Sequence, residues 1–189
     1  QKSGLTWTCG NSSQKLKEFY ELYVRTRKFR GTPGYSYLYF KEILDKFNEN
    51  AKIYTTRLNG KSIASIFLIY YKKEVRYAFA GAIYNREILR LQPYHLIFWE
   101  AIKDACQKGY TKFNFGGATL QTNDGGLYDF KKKWADEIVE VPHYFFLWKG
   151  KDVPSVGEGS LFKLASGIWK KLPISVIKKI SPRIIKQFV

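Results

Sequence analysis

The step Asn59-Gly60 constrains the fold of this chain more than any other local feature, because it lies between two β-type segments. Residues 51–58 alternate along the chain in the manner of a strand, and residues 61–71 form an apolar, β-rich segment. Asn-Gly supplies the positive φ angles of a two-residue hairpin turn, so the two segments are predicted to pair as antiparallel strands. Residues 72–74 form a second turn, and the strand after them is predicted to end near Tyr84. The sequence therefore predicts a three-stranded meander.

A strand-helix-strand unit is predicted to follow. Pro93 suits the first position of a helix, and Gly109 stands where that helix would end. The next strand is predicted over residues 110–117. Because a crossover of this kind is right-handed and joins parallel strands, Tyr84 and Gly116 are expected at the same edge of the sheet.

Further helices are predicted before and after these strands. One begins at Ser12-Ser13 and stops in the Gly/Pro segment 31–34, and a second ends near Asn50. A short helix around residues 127–134 and a last strand over residues 138–148 complete the order. That order, ααβββαβαβ, is the order of the N-acetyltransferase-like (GNAT) fold, an α/β class with a mixed sheet and one parallel strand-helix-strand crossover.

The charge balance favours anionic partners. Thirty-two Lys+Arg against 16 Asp+Glu give a formal net charge of +16, which attracts RNA, nucleotide phosphates or an anionic membrane face. Residues 159–189 contain seven basic and no acidic residues, interleaved with apolar ones. We predict a GNAT-like domain over 1–149, followed by a linker and a basic amphipathic helical tail over 150–189. Residues 160–189 are typical of a segment that binds a membrane surface, but folding back on the domain or docking on another domain is equally open.

Metal and membrane-spanning functions are not predicted. Cys9 and Cys106 have no close cysteine partner, and His95 and His143 have no neighbouring carboxylate, so no metal site is expected and both histidines are interpreted as structural. A single disulfide stays open, although a reducing, cytoplasmic environment is favoured. No run approaches the roughly 20 apolar residues that cross a bilayer. The chain contains no Met, so we expect a fragment of a longer protein with an upstream domain.

Four segments resemble the Fem family of aminoacyltransferases, which build peptidoglycan interpeptide bridges from aminoacyl-tRNA. They are FYELYVRTRKFRGTP from residue 19, LQPYHLIFWEAI from residue 91, FNFGGA from residue 113 and GLYDFKKKWADE from residue 126. The resemblance covers most of residues 4–148 and implies the second of two GNAT-like domains. It implies aminoacyl-tRNA as donor and a lipid-linked or nucleotide-linked peptide precursor as acceptor, with no cofactor. Tyr94 and Ala135 depart from the family, whose members often have Asn and Gly there.

The resemblance also implies a catalytic pair. It places the family's functional Phe-Lys pair on Phe130 and Lys131, where the ammonium would stabilise a developing oxyanion. The alternative is that Lys131 belongs to a solvated face formed by the three consecutive lysines 131–133. Asp129 is assigned to the substrate-binding residues, where it would orient Lys131 or cap the short helix.

Strand ends supply the candidate substrate contacts. Gly116 and Gly117 are predicted to let the backbone approach a substrate, or simply to form a turn with positive φ. Tyr84, Asn85 and Arg86 are predicted to bind a peptide carboxylate or a phosphate, unless they form only a rim.

Two further places in the sequence are considered as sites for phosphate groups: the arginines Arg27 and Arg30, and the start of the crossover helix. Arg27 and Arg30 either contact RNA phosphates or serve only the dipole of the first helix. In acyl-CoA-dependent GNAT enzymes a glycine-containing turn cradles the pyrophosphate where the crossover helix begins. Here residues 85–95 contain no glycine, so coenzyme A is not expected as a ligand. An acyltransferase with another activated donor, and a non-catalytic module that docks on tRNA or a membrane, remain alternatives.

Overall fold

The computed structural model describes residues 4–118, 126–142, 144, 146 and 159–186. Within them lies one sheet of five strands in the order β1-β2-β3-β4-β5, where β4 and β5 are parallel and the other neighbours are antiparallel. The elements are β1 (Leu5–Gly10), α1 (Ser13–Arg30), α2 (Tyr37–Phe47), a 3-10 turn (Asn48–Asn50), β2 (Ala51–Leu58), β3 (Lys61–Tyr71), β4 (Glu74–Ala82), α3 (Arg86–Arg90), α4 (Pro93–Gln107), β5 (Lys112–Asn114), α5 (Leu127–Lys132), α6 (Ser160–Lys171) and α7 (Ile174–Ile185).

The predicted meander is confirmed. Strands β2 and β3 have the predicted bounds, and Leu58 pairs with Lys61 across the turn. Asn59 and Gly60 have φ angles of 50° and 77°, which is the backbone that a two-residue Asn-Gly hairpin requires. The first helix is also as predicted, since the Ser12 side chain caps α1 and Gly31 ends it in the left-handed conformation.

The crossover is present, but its second strand is shorter than predicted. Helix α4 starts with Pro93, and β5 pairs parallel with β4 over residues 112–114 instead of the predicted 110–117. The pairing ends at Arg76 and Asn114, and Gly116, with φ +68°, then turns the chain. Gly116 therefore lies beside Tyr77 near the start of β4, whereas Tyr84 follows the end of that strand. Tyr84 and Gly116 thus both follow the carboxyl ends of parallel strands as expected, but the short β5 leaves Gly116 level with Tyr77 rather than with Tyr84.

Other elements differ from the sequence prediction at the ends of the domain. Strand β1 and the five-residue helix α3 were not predicted. The strand predicted over residues 138–148 is not found in its described part, residues 138–142, 144 and 146. Val141 and Tyr144 are 73% and 90% exposed, so this segment does not bury an apolar face against the sheet. The remaining residues of that prediction, His143 among them, lie outside the described part, as does most of the predicted linker.

Two cores fill the two faces of the sheet. On one face, the rings of Phe19, Tyr23 and Phe40 from α1 and α2 pack on one another, stacked or edge-to-face. The Phe19 ring also packs edge-to-face on Phe67 of β3. On the other face, α4 packs Phe98 and its apolar neighbours onto β2 and β3. The high aromatic content of the sequence is thus the material of both cores.

The tail helices pack against α1. Trp169 of α6 and Ile177 of α7 are 7% and 1% exposed and belong to the first core. Ser181 donates to the Gly34 carbonyl at 2.9 Å and accepts from the Gly34 amide at 2.5 Å, and Lys178 pairs with Glu21. The described tail therefore folds back on the domain through one face. Among the described residues, no helix has both the length and the apolar content to cross a membrane.

Candidate active site

A cleft opens where β4 and β5 separate. Among the described residues the two strands pair at three positions only, from Glu74-Lys112 to Arg76-Asn114, and beyond them β4 continues alone on that side. The cleft has a volume of about 1470 Å³. Its walls combine aromatic and cationic side chains, among them Arg27, Arg30, Arg76, Tyr77, Tyr84, Tyr94, Phe98, Phe115, Phe130 and Lys131.

The glycine turn after β5 forms one corner of the cleft. The Asn114 amide group donates to Glu74 Oε1 at 2.8 Å, and its Oδ1 accepts from the Gly116 N–H at 2.8 Å. A Cβ on Gly116 would lie 3.6 Å from the Tyr77 carbonyl oxygen, which is ordinary contact, so the positive φ rather than space requires glycine there. Gly117 does not have a φ in the left-handed range, and a Cβ built on it would meet no described atom within 4 Å. Both glycines line the cleft.

Lys131 reaches this glycine turn from α5. Its ammonium donates to the Gly117 carbonyl at 2.7 Å and to the Gly116 carbonyl at 3.4 Å, and it lies 5.6 Å from the centre of the Tyr77 ring. Lys132 and Lys133 are exposed and do not line the cleft. The three consecutive lysines are therefore not equivalent, because the fold directs one of them into the cleft.

Phe130 and Asp129, the neighbours of Lys131, differ in position. The Phe130 ring lies 5.2 Å from His95 and 5.7 Å from Phe98, so it fixes α5 on α4 while also lining the cleft. Asp129 is exposed and is not among the described residues that line the cleft. The N-cap of α5 is Gly126, with no side-chain capping hydrogen bond, so Asp129 does not cap this helix. Its placement gives no support to the predicted role in substrate binding.

Helix α1 supplies the opposite wall. Arg27 donates from Nε to the Pro33 carbonyl at 2.9 Å, and both Arg27 and Arg30 line the cleft. Burial lowers the pKa of Arg27, partly offset by the nearby Tyr23, but a guanidinium stays protonated at neutral pH. The end of α1 thus presents two cations to the cleft. These cations also interact favourably with the dipole of α1.

The predicted group Tyr84, Asn85 and Arg86 is divided by the fold. Tyr84 lines the cleft and stacks on Phe29, with ring centres 4.1 Å apart and planes 9° apart. Asn85 is the N-cap of α3, and its Oδ1 accepts from the Glu87 N–H at 2.8 Å. Arg86 is exposed and, like Asn85, does not line the described part of the cleft. Only Tyr84 is positioned for a ligand in this cleft.

Two cleft tyrosines were not selected from the sequence as site residues. Burial raises the pKa of Tyr77 and of Tyr94 well above that of a free phenol, and the neighbouring tyrosines raise it further, while Arg30 acts in the opposite sense. Both are therefore neutral hydroxyl donors at physiological pH. Tyr94 could have been found from its place after Pro93 at the helix start, but Tyr77 is indistinguishable in sequence from the core rings of its strand.

A comparison with protein families identifies the class of protein that contains this cleft. The model described as an acetyltransferase (GNAT) domain matches residues 1–132. The chain belongs to the GNAT acetyltransferase family. It is thus an acyltransferase domain with the GNAT fold predicted from the order of its elements. No curated protein matches the sequence.

Solved structures share the fold at low identity. An aminoglycoside acetyltransferase from an uncultured soil metagenomic sample, in complex with sisomicin, is 13% identical with a TM-score of 0.59, and the match covers 78% of this chain and 99% of that one. FemX is 17% identical with a TM-score of 0.60, and the match covers 69% of this chain and 50% of FemX. The ribosomal-protein-S18-alanine N-acetyltransferase from Escherichia coli is 12% identical with a TM-score of 0.51, over 68% of this chain and 76% of that one.

The start of the crossover helix lacks features of a phosphate cradle. Pro93 has no N–H, and the His95 N–H already donates to the Gln92 carbonyl at 3.0 Å. Residues 83–108 of this GNAT domain contain no glycine, and Leu89 of α3 projects an apolar side chain into the lining of the cleft. A pyrophosphate binds to several free backbone N–H groups at a helix N-terminus. The start of α4 offers fewer free N–H groups than the four of an ordinary helix.

Proposed function

We propose that this domain transfers an aminoacyl group from aminoacyl-tRNA to an amine of a peptidoglycan-precursor peptide. The observation that carries the proposal is the start of α4, where Pro93, the engaged His95 amide and Leu89 stand in place of a diphosphate cradle. The motifs that resemble the Fem family support it, and so does the fold shared with FemX. A donor that carries no coenzyme A is the natural partner of such a helix start.

The proposed chemistry is the aminolysis of an ester. The acceptor amine attacks the ester carbonyl carbon, an oxyanion forms, and the bond to the ribose oxygen breaks while a proton passes from the amine to that oxygen. Since the ester is already activated, positioning and electrostatic stabilisation are the main contributions required of the protein. In this proposal Lys131 stabilises the oxyanion beside the glycine turn.

The remaining cleft residues fit the two substrates of this reaction. The neutral hydroxyl groups of Tyr77 and Tyr94 would donate hydrogen bonds to the aminoacyl-tRNA or to the ribose hydroxyl that leaves. Arg27 and Arg30 would contact phosphates of the tRNA, and the stacked Phe29–Tyr84 pair offers a flat apolar surface to a nucleobase.

Donor identity is the test. The full-length protein is incubated with tRNA charged with radiolabelled amino acids and with lipid-linked or nucleotide-linked precursor peptide, and labelled peptide is counted. Calorimetry with acetyl-CoA is run in parallel on the same protein. Labelled peptide without measurable acetyl-CoA binding supports the proposal. Micromolar binding of acetyl-CoA, with no label transferred from tRNA, would overturn it.

A second candidate is N-acyl transfer from another activated acyl donor. It is favoured by the edge of β4 beyond Arg76, which pairs with no strand in the described part of the chain and can hydrogen-bond an extended donor that contains amides. The aminoglycoside acetyltransferase with the same fold is consistent with it. The two candidates are separated by the donor experiment. A non-catalytic docking module is separated from both by Lys131→Ala, which a scaffold would tolerate.

A further inference from the structure

The helices α6 and α7 have one packed side and one exposed side. Their packed side is fixed on α1 by Trp169, Ile177 and Ser181. Their other side carries large apolar residues that are not covered within the described structure. Leu164 and Ile168 of α6 are 63% and 56% exposed, and Val176 of α7 is 38% exposed.

The spacing of these residues places them on coherent faces. Leu164 and Ile168 are four residues apart and therefore neighbours on one side of α6, while Trp169, the next residue, is turned about 100° away. On α7, Val176, Lys179 and Arg183 follow the same three- and four-residue spacing, and the last two are exposed. We call the exposed residues Leu164, Ile168, Val176, Lys179 and Arg183 together the tail surface.

The tail itself carries charge of one sign, and one of its lysines, Lys178, pairs with Glu21 of α1. Residues 159–189 contain seven basic residues and no acidic one. Of these, Lys163, Lys170 and Lys171 flank the apolar residues of α6 and are exposed. A second copy of this chain would bring the same positive charge against itself, which disfavours self-association through this face. An anionic surface with an accessible apolar layer complements both the charge and the exposed aliphatic residues.

We propose that the tail surface binds an anionic phospholipid bilayer. The two helices have 12 residues each, which is too short to span a bilayer but suitable for lying in its interface. Leu164 and Ile168 enter the boundary between headgroups and acyl chains, and the lysines and Arg183 contact lipid phosphates. The packed side holds the helices on the domain, so the whole domain is recruited and not a flexible segment alone.

The docked orientation has a consequence for the cleft. Ile185, near the end of α7, is one of the residues that line it. A bilayer bound by α6 and α7 therefore lies near one end of the cleft. If the proposed function holds, this geometry favours an acceptor carried by a lipid over one carried by a soluble nucleotide, but the docking itself does not depend on the reaction.

Vesicle co-sedimentation of the 189-residue chain tests the docking. The vesicles contain phosphatidylglycerol and phosphatidylcholine in equal parts, or phosphatidylcholine alone. Leu164→Glu is matched by Leu38→Glu, because Leu38 of α2 is exposed to a similar extent, 67% against 63%. Lys179→Glu is matched by Lys61→Glu at the exposed first residue of β3. Circular dichroism shows whether each variant is folded.

The expected result is binding to the anionic vesicles only. Leu164→Glu should weaken the partition coefficient by roughly tenfold or more, since it removes the burial of a leucine and adds a negative charge. Lys179→Glu should weaken it by roughly fivefold or more, since each basic residue near an anionic surface adds about that factor. Both controls should bind as the parent chain does.

Three results would overturn the proposal. One is a parent chain that stays in the supernatant with anionic vesicles. Another is a set of four variants that bind equally well, which would mean that the general positive charge binds lipid without the tail surface. The third is a dimer in light scattering that Leu164→Glu dissociates while vesicle binding is unchanged, since the face would then bind a second copy of the chain.

Discussion

Gly81 of β4 tests how closely the sheet packs against α1. A Cβ built on Gly81 lies 2.3 Å from the Tyr23 backbone nitrogen, 2.5 Å from the Leu22 carbonyl carbon and 2.8 Å from the Tyr23 Cα. Contacts below 3.0 Å are essentially never found, and backbone atoms within a helix cannot rotate aside as a side chain does. To regain an ordinary contact of 3.4 Å, α1 must move from β4 by about 1 Å.

The substitution Gly81→Ala should therefore destabilise the domain strongly. Overpacking of a close-packed core costs about 1–3 kcal/mol, and the upper half of that range is expected because a whole helix is displaced. Urea unfolding followed by circular dichroism measures the loss as a lower midpoint with an unchanged slope. Gly10→Ala is the control, since its Cβ would meet only Lys15 Cγ at 3.7 Å. If Gly81→Ala stays within about 0.5 kcal/mol of the parent protein, the close approach of β4 and α1 is refuted.

Three further predictions concern the tail, an ion pair and RNA. Trp169→Ala should cost about 3–5 kcal/mol in urea unfolding because it removes a buried ring, and a neutral result would contradict the docking of α6. Burial acts to raise the pKa of Glu18, but hydrogen bonds from Arg57 and Ser62 outweigh it and lower that pKa below its ordinary value. The resulting stability is present above the unfolded carboxyl pKa and is lost as pH falls through the folded one, so Glu18→Gln should flatten the acid loss in pH-dependent unfolding; unchanged acid sensitivity would argue against the pair. RNA affinity in filter binding should fall steeply with salt, and Arg30→Ala should reduce the slope by about 1; a flat salt response would exclude phosphate contacts.

The strands of the meander were predictable from the sequence because local chemistry determines them. Asn59-Gly60 defines a hairpin register without help from the rest of the fold, and the end of β2 at Leu58 and the start of β3 at Lys61 followed from it. The length of β5 was not predictable in this way, since Phe113 and Phe115 favour a strand on both sides of Asn114, which does not. Its end depends on the Asn114 side chain, which holds the Gly116 amide and turns the chain.

The candidate site was predictable in its chemistry but not in its assembly. Lys131 and the two glycines were selected from the sequence, yet their contact joins α5 to the turn after β5 and depends on how α5 packs on α4. Tyr77 was missed because a core ring and a cleft ring look alike in one strand. Asn85 and Arg86 were selected as strand-end residues, but they belong to α3, a five-residue helix with no apolar periodicity to reveal it.

The tail illustrates a third kind of limit. Its sequence has the composition of an interfacial helix, and that composition is equally compatible with a helix pair folded on the domain. The structure packs Trp169 and Ile177 into the core while leaving Leu164 and Ile168 exposed. The alternatives that the sequence left open are thus compatible with each other, because they concern opposite sides of the same helices.

The most direct test of the proposed mechanism is the turnover of aminoacyl transfer by the full-length enzyme after Lys131→Ala, measured beside Lys132→Ala. Of these two lysines, Lys131 contacts the glycine turn, with its ammonium 2.7 Å from the Gly117 carbonyl oxygen, whereas Lys132 is exposed on the same helix. If Lys131 stabilises the oxyanion, its removal should lower kcat by roughly 10² to 10³, as the loss of one oxyanion donor does, while Lys132→Ala retains nearly full activity. Equal and small effects of the two substitutions would contradict this role for Lys131.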